Sequence, residues 1–223
     1  MAVKFRFHDL PVTPETVARY AGGSHYRPDA ERKKLAADIL EDASILAQPA
    51  FVYGVRHINT LDSEKGFSGF GPPDNPAAGA IFMAAAICTL GPALENTTSK
   101  LLARGKYLDA LFMDAAGVAL VEALSDKAHT HLGKEAAKVG LFAGCRLGPG
   151  YENIPLSAQQ DLFESVHPEI IGVSLKSSGA LFPLKSSSFW VPWTSQPSAH
   201  GSSCKCQTCK MLDCAYRIAA APR

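Results

Sequence analysis

The sequence has little excess of either charge. Twenty-two Lys and Arg stand against 21 Asp and Glu, a net charge of +1. Without a basic excess there is no electrostatic footprint for a nucleic-acid backbone, so nucleic acid is not an expected partner. Long hydrophobic runs are also missing. The longest, Ala77 to Leu90 (AAGAIFMAAAICTL), falls well short of the ~20 residues that a membrane-spanning helix needs. The opening residues, MAVKFRFHDLPVTPETVARY, carry no apolar core and no small-residue cleavage site. A cytoplasmic protein without a membrane segment is therefore expected. The six cysteines are not spread as in a secreted disulfide scaffold, because four of them fall between Cys204 and Cys214. There are no internal repeats.

What is present suits one sizeable domain with an appendage: 223 residues, 47% hydrophobic and 19% charged. A domain is expected over residues 1–196 and a Cys-rich tail over 197–223. Thr13 and Pro14 open a helix that ends before Gly22-Gly23. Asp29 opens a second, reaching Leu46, with Leu35, Ile39, Ala43 and Leu46 on one face. Phe51 to Leu61 reads as a strand. Ala77 to Cys88 reads as a buried apolar helix, and Ala93 to Ala103 as another after the Gly91-Pro92 break.

Tyr107 to Leu132 is the longest helical stretch, with Leu108, Leu111, Phe112, Ala115, Ala119 and Ala123 as its apolar stripe. The small residues Ala115, Ala116, Gly117 and Ala119 mark it as central. Ser157 to Val166 reads as a short helix capped by Ser157 with Gln160. Ile170 to Leu175 and Ser187 to Trp193 read as strands, the second demoted to an edge by Pro192. This order implies an α+β fold with an antiparallel sheet and packed helices.

Two constellations carry chemistry. In Arg146-Leu147-Gly148-Pro149-Gly150-Tyr151, an arginine offers a planar fork for a carboxylate. The two glycines and the proline shape a tight loop, and the tyrosine gives a flat ring with a polar tip. These groups suit a ligand with an amino-acid end and a planar base; the plain alternative is a turn with a surface arginine. In Cys204-x-Cys206-x2-Cys209-x4-Cys214, four thiolates within eleven residues suit one soft metal centre, either iron–sulfur or tetrahedral zinc. Disulfides or free thiols are the alternative.

RLGPGY resembles the R-x-x-x-G-Y loop of the activation domain of cobalamin-dependent methionine synthase. The resemblance extends to Thr89-Leu90-Gly91-Pro92-Ala93-Leu94-Glu95, to Leu111-Phe112-Met113-Asp114-Ala115-Ala116-Gly117 followed by Val121-Glu122-Ala123, and to Val173-Ser174-Leu175-Lys176-Ser177-Ser178 with Phe182-Pro183 and Lys185-Ser186. Val17-Ala18-Arg19-Tyr20-Ala21-Gly22 is similar to the small stand-alone members.

The resemblance implies that S-adenosylmethionine is bound. Arg146 would hold its carboxylate. Tyr151 and the backbone of Leu147, beside Gly150, would meet the nucleoside. Glu122 would lie near its ammonium or sulfonium. Asp9 is the nearest candidate for the family's early acidic residue. No catalytic residue is implied, because the nucleophile is the reduced cobalt of a corrinoid carried by a partner methyltransferase, and the protein's part is positioning. The expected role is an accessory subunit supporting reductive methylation, with cobalamin only through the partner and a reductive electron donor.

The family domain lacks the cysteine tail. A role for the tail in electron supply favours [4Fe–4S] over zinc there, and an electron-transfer or interaction module is the alternative function. Gly66-Phe67-Ser68-Gly69-Phe70-Gly71 is the one stretch like a dinucleotide-type turn, but Pro72-Pro73 stands where its helix would begin. His129 and His131 are expected at the helix surface and His57 half-buried on its strand. Cys88 and Cys145 are expected as small core residues, Cys145 also beside the loop. Trp190 and Trp193 are expected to pack.

Overall fold

The computed structural model describes residues 2–23, 25–58, 77–150 and 154–197. The rival Gly66–Gly71 stretch, Tyr151 and all four tail cysteines lie outside these residues. A five-stranded antiparallel sheet forms the centre, in the order β1-β2-β3-β7-β4. Its strands are β1 (Ala2–Lys4), β2 (Ala50–His57), β3 (Ala80–Thr89), β7 (Ser186–Thr194) and β4 (Phe142–Ala143). A separate two-stranded hairpin joins β5 (Ser174–Leu175) to β6 (Leu181–Phe182). The α+β class and antiparallel sheet read from the sequence are the observed ones.

Helix α1 (Pro14–Gly22) starts where Thr13 accepts the Thr16 N–H at 3.3 Å, and α2 (Ala30–Leu46) starts where Asp29 accepts that of Arg32 at 2.9 Å. Together with α3 (Ala93–Ala103) and the long α4 (Tyr107–Lys138), they cover one face of the sheet. The core there joins Val17, Ile39, Phe112, Leu120 and Leu124 to Phe51, Ala84, Ala86, Cys88, Phe189 and Val191. The other face is covered by α5 (Gln159–Glu164) and flanking turns, with Leu162, Ile154 and Val173 against Val52, Met83, Ala85, Ile87 and Trp190.

Burial on both faces explains the main departure from the sequence reading. Ala77 to Cys88 is not a helix; its residues from Ala80 onward form β3. A strand covered on both sides has no polar face, so it reads as a continuous apolar run that periodicity cannot separate from a buried helix. The alanines let both layers approach closely. Pro192 does not mark an edge either, because β7 lies inside the sheet between β3 and β4. Pro192 stands opposite Met83, and its carbonyl accepts the Gly144 N–H at 2.8 Å.

Smaller differences follow from local packing. Residues 168–171 form a 3-10 turn, leaving only Ser174–Leu175 of that expected strand. Ser157 lies inside a 3-10 turn and caps nothing, while Gln160 bonds Glu164. Leu108 and Leu111 are exposed, and the buried stripe of α4 starts at Ala110 and Phe112.

Three of the segments that resemble the family meet at the start of β7. Lys185 is buried and its Nζ donates to Asp114 at 2.6 Å, its stem lying over Gly117 of α4. The Leu184 N–H bonds Glu95, and Ser186 Oγ donates to Thr89 Oγ1 at 2.9 Å. These contacts fix the start of β7 against α3, α4 and β3, and α4 and β7 are elements that frame the site.

Gly54 on β2 lets the end of α5 reach the sheet, since a Cβ there would stand 2.6 Å from the backbone oxygen of Ser165. A backbone atom cannot step aside as a side chain can. Gly54→Ala is expected to lower stability by about 1–3 kcal/mol, the usual size of overpacking. A urea denaturation midpoint equal to the wild type's would show that the α5 layer yields freely.

Candidate functional site

Arg146 sits in the segment between β4 and the second layer. Two backbone anchors set its place on β7. The Gly144 N–H donates to Pro192, and Leu147 and Trp190 exchange N–H to carbonyl bonds, each at 2.8 Å. Between these anchors the Arg146 side chain turns toward α4 and is only 15% exposed. Its guanidinium lies 3.3 Å from Glu122 Oε2 and 3.2 Å from Asp126 Oδ1, and 5.2 Å from the ring centre of Phe189. Glu122 and Asp126 are four residues apart on α4, so one helix face presents both carboxylates. The Phe189 ring adds a flat, electron-rich floor under the cation.

Helix α1 closes a third side. Burial pushes the Tyr20 phenol above its usual range, and the charges of Glu122 and Asp126 act in the same direction, opposed by Arg19 and Arg146. Tyr20 therefore belongs to the same electrostatic neighbourhood as the Arg146 cluster. Arg19 lies 5.2 Å from the Tyr20 ring centre, and its Nε is buried without a hydrogen-bond partner among the described residues.

Beneath the cluster, Ser125 Oγ donates to the Val121 carbonyl at 2.7 Å and meets Ser187 Oγ at 2.6 Å. Cys88, opposite Ser187 in the sheet, is fully buried, and desolvation pushes its thiol up to about 12.

The structure thus brings Glu122 and Arg146 together, as two of the expected binding residues. Leu147 is next to them, with its side chain buried in the second layer and its N–H already committed to Trp190. Any polar contact from its backbone to a ligand falls to the second lone pair of its carbonyl. Gly150 adopts φ 83°, and its N–H bonds the Ile154 carbonyl at 2.9 Å. Asp9 is engaged locally, accepting the Arg6 N–H at 2.9 Å and lying 3.6 Å from His8.

Neither α4 histidine is a plain surface residue. His129 is buried and bonds the Gly144 carbonyl, and His131 stands edge-on to the rings of Phe51 and Tyr53. The expectation failed because α4 is covered on more than one side. His57 is half-buried against Phe82, and both tryptophans pack as expected. Cys145 is half-buried and disulfide-bonded, whereas Cys88 is free.

Sequence reasoning missed Asp126, Tyr20 and Phe189. Asp126 was visible as the i+4 partner of Glu122, and Tyr20 sits inside a segment already similar to the family's. Phe189 gave no local signal. Among the described residues no group of three or more His, Cys, Asp or Glu is placed to hold a metal ion. No helix among them is long and apolar enough to cross a membrane.

A solved structure of the MetH reactivation domain bound to AdoHcy superposes with a TM-score of 0.60. The match covers 90% of this chain and 80% of that one, at 16% sequence identity. The chain has the fold of the MetH reactivation domain. No family model matches the sequence, and no curated protein matches it either. The likeness to the MetH domain is thus one of architecture, reached with largely different side chains. The resemblance read from short sequence motifs points to the same domain.

Cys88 gives this site a direct check. With the thiol pushed up to about 12, almost no thiolate exists at pH 8. Iodoacetamide at that pH is expected to leave Cys88 unmodified in the folded, reduced protein and to label it after denaturation, read by peptide mass spectrometry. Labelling in the folded protein at the rate of an exposed thiol would contradict the burial described.

Proposed function

We propose that this chain binds S-adenosylmethionine and serves as an activation subunit for the reductive methylation of an oxidised corrinoid methyltransferase, of the methionine synthase type. The observation that carries the reading is the Arg146 guanidinium, held between Glu122 and Asp126 over Phe189, within the fold of a domain solved with AdoHcy.

The charges fit such a ligand. Its amino-acid end has a carboxylate, an ammonium and, in the methyl donor, a nearby sulfonium. Arg146 supplies the fork for the carboxylate. Glu122 and Asp126 give the ammonium and sulfonium a negative wall. Tyr151, on the nucleoside side, lies outside the described residues and enters as part of the proposal.

The partner's corrinoid, when present, supplies the nucleophile that takes the methyl group. This chain's residues bind the donor by its charged end and leave the methyl outward, which is catalysis by positioning. An accessory subunit of this kind needs no activated Ser, Cys or Lys of its own. A separate reductant supplies the electron.

The tail, residues 197–223, is proposed as an appendage in which Cys204, Cys206, Cys209 and Cys214 hold a soft metal centre, a [4Fe–4S] cluster before zinc. The chain has six cysteines, and Cys88 is both buried and free. Cys145 is disulfide-bonded, so the proposed four-thiolate centre is sought in protein kept reduced. Full-length protein purified anaerobically with reductant is expected to carry iron and acid-labile sulfide. Zinc alone would remove electron relay from the tail, and no metal would remove the centre.

The binding site itself is tested by calorimetry. S-adenosylmethionine is expected to bind the intact protein at micromolar concentration. Arg146→Ala should weaken that binding by about 1.5–3 kcal/mol, the range for a charge-assisted hydrogen bond. Unchanged affinity in a folded Arg146→Ala variant would take Arg146 out of the site. No binding by the intact protein would sink the proposed function and leave the tail as the remaining lead.

A further inference from the structure

We propose that His129 is the positioning residue for Arg146, acting through the backbone of Gly144 rather than by touching the ligand. His129 Nε2 lies 2.8 Å from the Gly144 carbonyl oxygen, and the side chain is buried, with 7% of the residue exposed. It stands on α4 one turn beyond Asp126 and two beyond Glu122, so the helix that presents the carboxylates also holds the arginine's backbone.

Both polar groups of Gly144 are then fixed, its N–H by Pro192 of β7 and its carbonyl by His129. A Cβ at Gly144 would stand 2.9 Å from Pro192 Cγ, so the backbone has no room to move toward β7. Leu147 is tied to Trp190 on the other side of Arg146. Only Cys145 and Arg146 lie between these points. A carbonyl accepts but never donates, so His129 must carry its proton on Nε2. The sequence shows a histidine on a helix and a glycine before the loop, and nothing in it joins them.

The inference rests on Arg146 as the ligand's arginine, and the experiments separate the two. Nitrogen-15 NMR of the wild-type protein at pH 8 should show His129 protonated at Nε2; a neutral ring protonated at Nδ1 alone would overturn the proposal whatever the ligand does. His129→Ala should weaken S-adenosylmethionine binding roughly tenfold, the loss of about one buried hydrogen bond. His129→Gln puts an amide N–H near the place of Nε2 and should restore most of that affinity.

In an Arg146→Ala background, His129→Ala should add almost nothing, because its effect passes through the arginine. An equal loss in both backgrounds, or unchanged affinity of folded His129→Ala, would overturn the positioning role. If the wild type binds no S-adenosylmethionine, the Arg146 Nε–H resonance of the free protein still reads the claim. It should shift in His129→Ala and return in His129→Gln, and an unmoved resonance overturns the proposal.

Discussion

An arginine side chain that is only 15% exposed must find compensation for the water it has lost, and around Arg146 the compensation comes from two separate parts of the fold. Helix α4 contributes the Glu122 and Asp126 carboxylates and β7 the Phe189 ring, while α1 places Tyr20 in the same electrostatic neighbourhood. None of these is close to Arg146 in sequence. The site exists only when the sheet, α4 and α1 are packed together. Within the ion-paired cluster the one Arg146 cation faces two carboxylates, Glu122 and Asp126. A ligand end bearing a carboxylate and two cationic groups can replace part of this pairing without leaving a charge bare, which a simple anion cannot do.

The scaffold around this cluster is built from strands with no polar face. β3 and β7 are covered by helices on one side and by α5 with its flanking turns on the other. Small side chains along β3, and Gly54 on β2, keep both layers close. Lys185 and Asp114, with the Leu184–Glu95 and Ser186–Thr89 contacts, lock the start of β7 to α4, α3 and β3. The residues that resemble the known family therefore divide into two groups. One group faces Arg146, and the other holds β7 in place a short distance away.

Much of this was legible in the sequence. Cap residues Thr13 and Asp29 began their helices as read, and the start of Ala93–Ala103 was read correctly from the Gly91-Pro92 break. Arg146 and Glu122 were legible because the loop motif and the helix motif each resemble the family's. β3 was not legible, since Ala84-Ala85-Ala86 favours a helix by local preference and only burial on both faces makes it a strand. His129 was misread for a related reason: a two-residue spacing on a helix says which sides two residues face, not how many sides are covered. Phe189 became visible only once β7 lay beside the Arg146 segment, a long-range pairing that no local pattern encodes.

A crystal structure of the protein grown with S-adenosylhomocysteine tests the central claim most directly, because it reads the place and orientation of the ligand together. The ligand's carboxylate is expected within hydrogen-bond distance of the Arg146 guanidinium, with Glu122 or Asp126 turned to its ammonium. A ligand seated elsewhere on the fold, or an Arg146 still paired only with Glu122 and Asp126 while the ligand is bound, would contradict the claim.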